Sequence, residues 1–262
     1  MHGENHRTRT LLRAVVTVAA LIPSGILFDE GRTIAAEIKV IGSPGVRGVL
    51  GELAPQFQRA TGHKVVMDFA VIAVLRRRIE AGEMFDIVIP DPTLIDELVK
   101  QGKVAAETAA SFGRTGLGLG VRKGMPKPDI SSADKLKDAL LSAKAVGHSK
   151  EGQSGVNFLE VLDRLGIAQG MRPKLKTYEG NGMAVAIEAG EVDMVVTGIG
   201  PLLEMRAADF VGGLPPGIQR YVKFSIGVSA AGQDPEAARA FVRFLASPAA
   251  TPVFNARGLE RD

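Results

Sequence analysis

Short apolar runs alternate along the chain with segments in which apolar residues recur at helical spacing. The pattern begins in residues 37–53, which read EIKVIGSPGVRGVLGEL. The β-branched residues of the first part are typical of a strand, and Ser43, Pro44 and Gly45 are typical of a tight turn. The apolar residues after the turn recur at the i, i+3, i+4 and i+7 spacing of a helix that packs on a sheet; they are Val46, Val49, Leu50 and Leu53. This stretch therefore predicts a strand, a turn and a helix start.

Two further units of the same kind follow before residue 102. Residues 64–70 predict a strand, which a turn at Val71-Ile72-Ala73 joins to a helix over 73–81. Residues 85–89 are a continuous apolar run, as in strands buried on both faces, and Asp91 stands where it can cap a helix that ends near residue 101. Strands that alternate with helices predict a parallel sheet with right-handed crossovers.

The Gly-rich run over residues 115–121, TGLGLGV, interrupts this alternation and predicts a crossing into a second lobe. There, a helix over 132–142, a strand over 145–147 and a loop over 148–153 lead into a helix over 154–165. A strand over 174–178 then leads through Glu179-Gly180-Asn181-Gly182 into a helix over 183–189, and a strand over 193–197 leads through Gly198-Ile199-Gly200-Pro201 into a short helix.

The end of the chain predicts a return to the first lobe. A strand is expected over 210–216, a long strand over 221–230, and helices over 235–245 and 248–256 with proline near their first turns. The expected architecture is α/β with two lobes, each a mostly parallel sheet flanked by helices, and a ligand cleft between them. Lobe 1 is expected to comprise residues 37–114 and 226–262, and lobe 2 residues 115–225, with closure by a hinge motion.

Residues 1–36 have the pattern of a secretory signal peptide. Arg7, Arg9 and Arg13 precede an apolar run over 14–22 that is too short to span a bilayer, and Ala35 and Ala36 are small residues suited to cleavage. A membrane-anchored N-terminus is the alternative. The leader predicts a periplasmic location.

Composition excludes several classes of function. Without the leader the chain keeps 28 basic and 26 acidic residues, and it has two tyrosines and no tryptophan, so neither a basic stripe nor an aromatic stacking surface for nucleic acid is present. The chain has no cysteine, and His63 and His148 are the only histidines after the leader. A metal site is therefore not expected, nor is any cofactor.

Catalytic motifs are equally sparse, and no catalytic residue is predicted. A secreted hydrolase that uses the same cleft stays an alternative, but its base would have to be His63, expected in a solvated turn, or His148, expected in a loop, and no G-x-S-x-G motif is present. Residues 147–154 resemble a phosphate-binding P-loop, except that Gln153 stands where that motif needs lysine. What this segment predicts is a glycine-bearing turn whose N–H groups can hold a small anion.

Taken in order, four segments resemble the molybdate-binding-protein family of bacterial ABC transporter receptors, which are type II periplasmic binding proteins. The segments read IKVIGSPGVRGVLGELAPQFQRATGHKVVMDFA, LRRRIEAGEMFDIVI, VDMVVTGIGPLL and FLASPAATPVF, and the resemblance covers nearly all of residues 37–260. It implies a two-lobed receptor that closes on one small solute and delivers it to an ABC transporter permease in the inner membrane. A receptor of this type is expected to be a monomer.

The family pattern also implies where the solute binds. Placed on it, Gly45 takes the position of the first serine, and Val71, Ile72 and Ala73 replace a serine-rich second turn. The predicted ligand-binding residues are Ser43, Pro44, Gly45, Val71, Ile72, Ala73, Ser149, Ser154, Gly180, Asn181, Thr197 and Gly198. Because two apolar side chains cannot replace hydroxyl donors to an oxyanion, we expect a small organic anion as the solute, with molybdate or tungstate as the alternative.

Overall fold

The computed structural model describes residues 35–261. The predicted leader therefore lies outside the described residues, apart from Ala35 and Ala36. Residues 35–261 form these strands: β1 (Glu37–Gly42), β2 (Lys64–Phe69), β3 (Ile87–Ile89), β4 (Ala110–Arg122), β5 (Val146–Ser149), β6 (Leu175–Tyr178), β7 (Met194–Gly198), β8 (Ala208–Gly213) and β9 (Tyr221–Val228).

The helices occupy most of the segments between the strands. They are α1 (Arg47–Thr61), α2 (Ile72–Glu80), α3 (Pro92–Lys100), α4 (Ala133–Ser142), α5 (Gln153–Arg164), α6 (Ala168–Met171), α7 (Gly182–Glu188), α8 (Ile199–Glu204), α9 (Pro235–Ala246) and α10 (Thr251–Ala256). Short 3-10 helices lie at Pro44–Val46, Ala106–Thr108, Arg172–Lys174 and Pro248–Ala250. The predicted alternation of strands and helices is confirmed, and α6 is an element that the sequence pattern did not indicate.

The strands join in the order β2-β1-β3-β9-β4-β7-β5-β6, with β8 paired to β4. The trios β2-β1-β3 and β7-β5-β6 are parallel, whereas β9 pairs antiparallel with β3 and with β4, and β4 pairs antiparallel with β7 and β8. The order reverses direction at β1 in one trio and at β5 in the other. In open α/β sheets such switch points are where ligands bind, at the carboxyl ends of the strands.

Buried apolar side chains form separate cores around the two parallel trios. One half draws its core from residues 36–112 and 222–259, and the other half from residues 117–218. Val222 and Phe224, which the sequence prediction gives to lobe 2, pack in the first of these halves. On this ground we propose lobe limits close to the predicted ones, with the return crossing a few residues earlier.

Several element boundaries differ from the prediction. Helix α2 begins at Ile72 because the carbonyl of Val71 accepts from Val74 and Leu75, so Ala73 lies inside the first helical turn. Gly198 ends β7, and α8 begins directly at Ile199 rather than after Pro201. Strand β8 runs over 208–213 instead of 210–216, because pairing with β4 begins at Ala208 and the prolines beyond it lack the N–H a ladder needs.

Both histidines are buried, which corrects the predicted solvated turn and loop. His63 is stacked on Phe57 with ring centroids 5.9 Å apart, and its Nδ1 accepts from the backbone N–H of Ala36 at 3.1 Å. His148 lies within β5, because the strand extends to Ser149, and its ring centroid is 5.7 Å from that of Phe158 in a T-shaped arrangement.

Two negative findings hold for residues 35–261. No helix there is both long and apolar enough to cross a membrane. Within the same residues, no group of three or more histidine, aspartate or glutamate side chains is arranged to hold a metal ion.

Candidate functional site

A cavity of about 1400 Å³ lies where the helices that follow β1, β2, β5, β6 and β7 begin. Except for Ala73, every residue predicted to bind the solute lines it: Ser43, Pro44, Gly45, Val71, Ile72, Ser149, Ser154, Gly180, Asn181, Thr197 and Gly198. Residues of both halves thus face one space. The geometry brings together turns that are up to about 150 residues apart in the sequence.

The first turn is held by backbone hydrogen bonds, and the side chain of Ser43 lines the cavity. The N–H of Ser43 donates to the carbonyl of Ile89 at 3.0 Å, and its own carbonyl accepts from Val46 at 3.1 Å. The Ser43 hydroxyl caps no helix N–H. Gly45 is required here, because a Cβ at this position would overlap the ring of Phe224, which is buried.

The second turn forms an apolar wall. Val71, Ile72 and Val74 line the cavity beside Phe69. The guanidinium of Arg47 lies over the Phe69 ring, with its carbon 5.1 Å from the ring centroid. A cation on an aromatic face keeps its N–H groups free at its edges, so Arg47 can still meet an anion.

Hydroxyl groups line the opposite wall. The Ser154 and Thr197 hydroxyl oxygens are 3.4 Å apart, and the Ser149 hydroxyl accepts from the N–H of Gly152 at 2.9 Å. The N–H of Gly155 donates to the Gly152 carbonyl at 2.9 Å, which leaves Gln153 and Ser154 as the residues whose N–H groups begin α5 without a partner from helix geometry. This wall therefore offers donors to a negatively charged group.

The third region of the site comes from the turn before α7. Gly180 has a φ of 52°, in the left-handed region that favours glycine, and the N–H of Gly182 donates to the Glu179 carbonyl at 2.9 Å. Asn181 precedes the helix without capping it through its side chain. Its amide is therefore available to the cavity.

The cavity is also lined by charged groups, which the sequence prediction missed. Arg47 and Lys223 are exposed cations of the first half, and neither forms an ion pair with any of residues 35–261. Arg47 directly follows the predicted turn Ser43-Pro44-Gly45 and Val46, so its position at the start of α1 could have indicated that it lines the cavity. The sequence pattern could not indicate Lys223, because this residue lies on β9 and the sequence does not show which strands pair with β9.

Glu204, at the end of α8, is one of the acidic residues that line the same cavity. Burial of its carboxyl group raises the pKa of Glu204 above its ordinary value, and the nearby Arg47 and Arg257 guanidinium groups oppose that rise. The residue as a whole is exposed, and its Oε1 lies close to Gly48.

The arrangement of His148 does not support the hydrolase alternative. Its Nδ1 lies 3.0 Å from the backbone carbonyl of Ser149, and burial lowers the pKa of the imidazole. A hydrolase base must face a serine hydroxyl on one side and a carboxylate on the other. Across residues 35–261, His148 makes neither contact.

The sequence model of the bacterial extracellular solute-binding proteins matches residues 38–260. The chain belongs to this family. The family is one of solute-binding proteins, and in this chain turns from both halves converge on one cavity.

The chain is also similar to individual proteins. A protein of a Pseudomonas species named aconitate isomerase is 29% identical over 231 residues, which are 85% of this chain and 87% of that protein. The molybdate-binding protein ModA of Azotobacter vinelandii is 25% identical over 257 residues, 95% of this chain and 97% of ModA. The solved periplasmic molybdate-binding protein of the same organism superposes with a TM-score of 0.73 at 18% identity, covering 86% of this chain and 99% of that one.

These comparisons confirm the resemblance to the molybdate-binding receptors and the fold class expected from the sequence. This protein has the α/β, two-lobed fold of the type II periplasmic binding proteins. Its strand order, with a reversal in each parallel trio, places the cavity at the expected end of the sheets.

Proposed function

We propose that this protein is an exported, periplasmic receptor that captures a small organic anion and delivers it to an ABC transporter permease of the inner membrane. Residues 1–36 act as its signal peptide, and the receptor works as a monomer. Family membership supports the receptor role. The eleven predicted residues that line the cavity, together with Arg47 and Lys223, form the proposed binding site.

One observation carries the choice of ligand: the wall formed by Val71, Ile72 and Val74 has no hydroxyl group. A tetrahedral oxyanion enclosed here would leave acceptors without donors on that side, at about 1–3 kcal/mol for each unmade hydrogen bond. An organic anion can instead turn its hydrocarbon part to this wall. The loss of two hydrogen bonds would weaken oxyanion binding by roughly 30-fold to 20,000-fold.

The charged groups fit the same class of ligand. Carboxylates placed at Arg47 and at the hydroxyl wall of Ser154 and Thr197 would be held from both halves. Guanidinium and hydroxyl donors suit planar carboxylates, and Arg can bind them in a bidentate manner. The relative named aconitate isomerase points to an unsaturated tricarboxylate as a reasonable member of this class. Molybdate or tungstate stays the alternative, because ModA is also a relative.

The ligand class is tested by thermal shift and calorimetry on the ligand-free protein without its leader. We expect trans-aconitate, cis-aconitate or citrate to raise the melting temperature, and molybdate, tungstate and sulfate to leave it unchanged. A ligand present at 100 times its Kd stabilises the folded state by about 2.7 kcal/mol, which is about 5–10 °C for a chain of this size. Submicromolar binding of molybdate with no response to any carboxylate would overturn the proposal.

Removal of the Arg47 charge is expected to weaken binding without unfolding the protein. Arg47→Gln should raise the Kd of the best carboxylate about 10-fold to 100-fold, because a charge-assisted hydrogen bond contributes about 1.5–3 kcal/mol. Calorimetry measures this change. Arg59→Gln, in the last turn of the same helix and exposed, is the matched control and should bind as the unchanged protein does. Equal affinities of the two variants would contradict a role for Arg47.

A second candidate function is an isomerase that acts on such an anion in the same cavity. The relative named aconitate isomerase favours it, since that protein matches over 85% of this chain. We propose the receptor first, because the family whose model matches residues 38–260 is one of solute-binding proteins. Proton NMR of trans-aconitate incubated with the protein separates the two: a catalytic amount of protein that converts the substrate supports the isomerase, and stoichiometric binding without conversion supports the receptor.

A further inference from the structure

Glu204 places a carboxylate of the second half against a helix of the first half. A Cβ added at Gly48 would come too close to the Glu204 Oε1, so this oxygen lies against the first turn of α1. Glu204 also lines the cavity. Only glycine at position 48 permits this approach, because any larger residue would displace the carboxylate.

Close contacts of Gly200 with neighbouring backbone atoms fix the position of the start of α8. A Cβ on Gly200 would lie 3.2 Å from the carbonyl oxygen of Gly45 and 3.1 Å from that of Arg257. The Gly200 N–H donates to the Thr115 hydroxyl oxygen at 3.4 Å, and that hydroxyl donates to the Gly258 carbonyl at 2.7 Å. With α8 held in this way, the Glu204 carboxylate is kept near α1.

Two cations face Glu204, and they differ in availability. Arg257 already pairs with Glu52, its Nε 2.9 Å from the carboxylate oxygen. Arg47 has no carboxylate oxygen within ion-pair distance among residues 35–261, and it is the cation at which we place a carboxylate of the solute. A solute bound there would bring a second negative charge close to Glu204.

We propose that the receptor binds its anion together with one proton, which the Glu204 carboxylate takes up. This inference rests on the proposed function and goes beyond it by coupling solute capture to pH. The bound carboxylate neutralises the field of Arg47 that favours ionised Glu204, and it adds like charge beside it. The neutral Glu204 can then donate its O–H to the solute, which exchanges a repulsion for a hydrogen bond.

The direction of the pH dependence follows from linkage. Burial already raises the pKa of Glu204 in the free protein, and the bound anion raises it further. Between those two pKa values, binding takes up a proton, so affinity falls as pH rises through this window, by at most about tenfold per pH unit. Below the free-state pKa the group is already neutral, and the dependence ends.

The test is calorimetry of trans-aconitate binding between pH 5 and 7, in buffers of different ionisation enthalpy, which reports the protons taken up. The probe titrates as well, so the difference between the protein and its Glu204→Gln variant is the quantity of interest. We expect the unchanged protein to take up close to one proton more than the variant at the pH of maximal uptake. The variant should bind more tightly at pH 7, by about threefold to tenfold, because one repelling charge is gone.

Two further variants make the result specific. Gly48→Ala keeps the carboxylate but displaces it from α1, so its extra proton uptake should fall toward that of Glu204→Gln. Glu236→Gln, an exposed change of the same charge at the start of α9, should leave proton uptake unchanged. Binding with equal proton uptake by the protein and by Glu204→Gln overturns this inference and leaves the proposed function intact. No binding heat from trans-aconitate in either protein, with a thermal response to molybdate alone, overturns both.

Discussion

Replacement of Gly155 by alanine is expected to destabilise the protein by about 3 kcal/mol or more and to abolish solute binding. A Cβ at this position would overlap the carbonyl oxygen of Ser149 and press on its carbonyl carbon, and both are backbone atoms that cannot rotate away. The first turn of α5 and the end of β5 would have to separate. Ser149 and Ser154 belong to these two segments, so the hydroxyl wall of the cavity would be lost with the packing.

The control for this change is Gly51→Ala in α1, where an added Cβ meets no atom within 4 Å. Alanine favours a helix over glycine by about 1 kcal/mol, so this variant should be more stable than the unchanged protein. Urea unfolding followed by circular dichroism measures both changes, and calorimetry measures binding. A Gly155→Ala protein with unchanged midpoint and unchanged affinity would show that the β5–α5 approach is not as close as described.

The second large effect is expected from Phe57→Ala in the core of the first half. Phe57 is 1% exposed, and its ring lies 4.8 Å from that of Phe241 and 5.6 Å from that of Phe244. Removal of a buried aromatic ring costs about 3–5 kcal/mol, since the neighbours close the resulting cavity only in part. His63, stacked on the same ring, would lose its support as well.

At urea concentrations below its unfolding transition, the Phe57→Ala protein should still bind the solute, because Phe57 does not line the cavity. The comparison is Leu159→Ala, an exposed apolar residue of α5 at 44% exposure, which should change stability by no more than about 0.5 kcal/mol. The difference in the free energy of unfolding between the variants follows from their urea midpoints, provided that the dependence of that free energy on urea concentration has the same slope in each. A loss below about 1 kcal/mol for Phe57→Ala would mean that the aromatic cluster is looser than its centroid distances indicate.

Local patterns were sufficient for most of the fold. The continuous apolar run before Pro90 is the fully buried strand β3, and Asp91 caps α3 by accepting from the N–H of Leu94 at 2.7 Å. Both predictions depend only on neighbours in the sequence. The two histidines were misplaced because their burial depends on how a helix packs on a strand: Phe57 lies on the helix before His63, and Phe158 lies on the helix that follows β5.

The candidate site divides in the same way. Turns such as Ser43-Pro44-Gly45 follow strands, and strand ends of one sheet meet at one edge, so these turns could be predicted to converge. Lys223 and Glu204 could not, because they reach the cavity from an antiparallel strand and from the end of a short helix. Their positions depend on which strands become neighbours across the two halves, and no local pattern encodes that.

Strand β9 has a consequence for the order in which the molecule can assemble. It pairs with β3 and with the first part of β4, and Phe224, Ile226 and Val228 enter the core of the first half. That core also needs α9 and Phe254, so a chain lengthening from its N-terminus cannot complete its first half until about residue 254 is present. The second half, built from residues 117–218, can close earlier. Folding that must wait for such distant contacts is slow, so the second half is expected to close before the first.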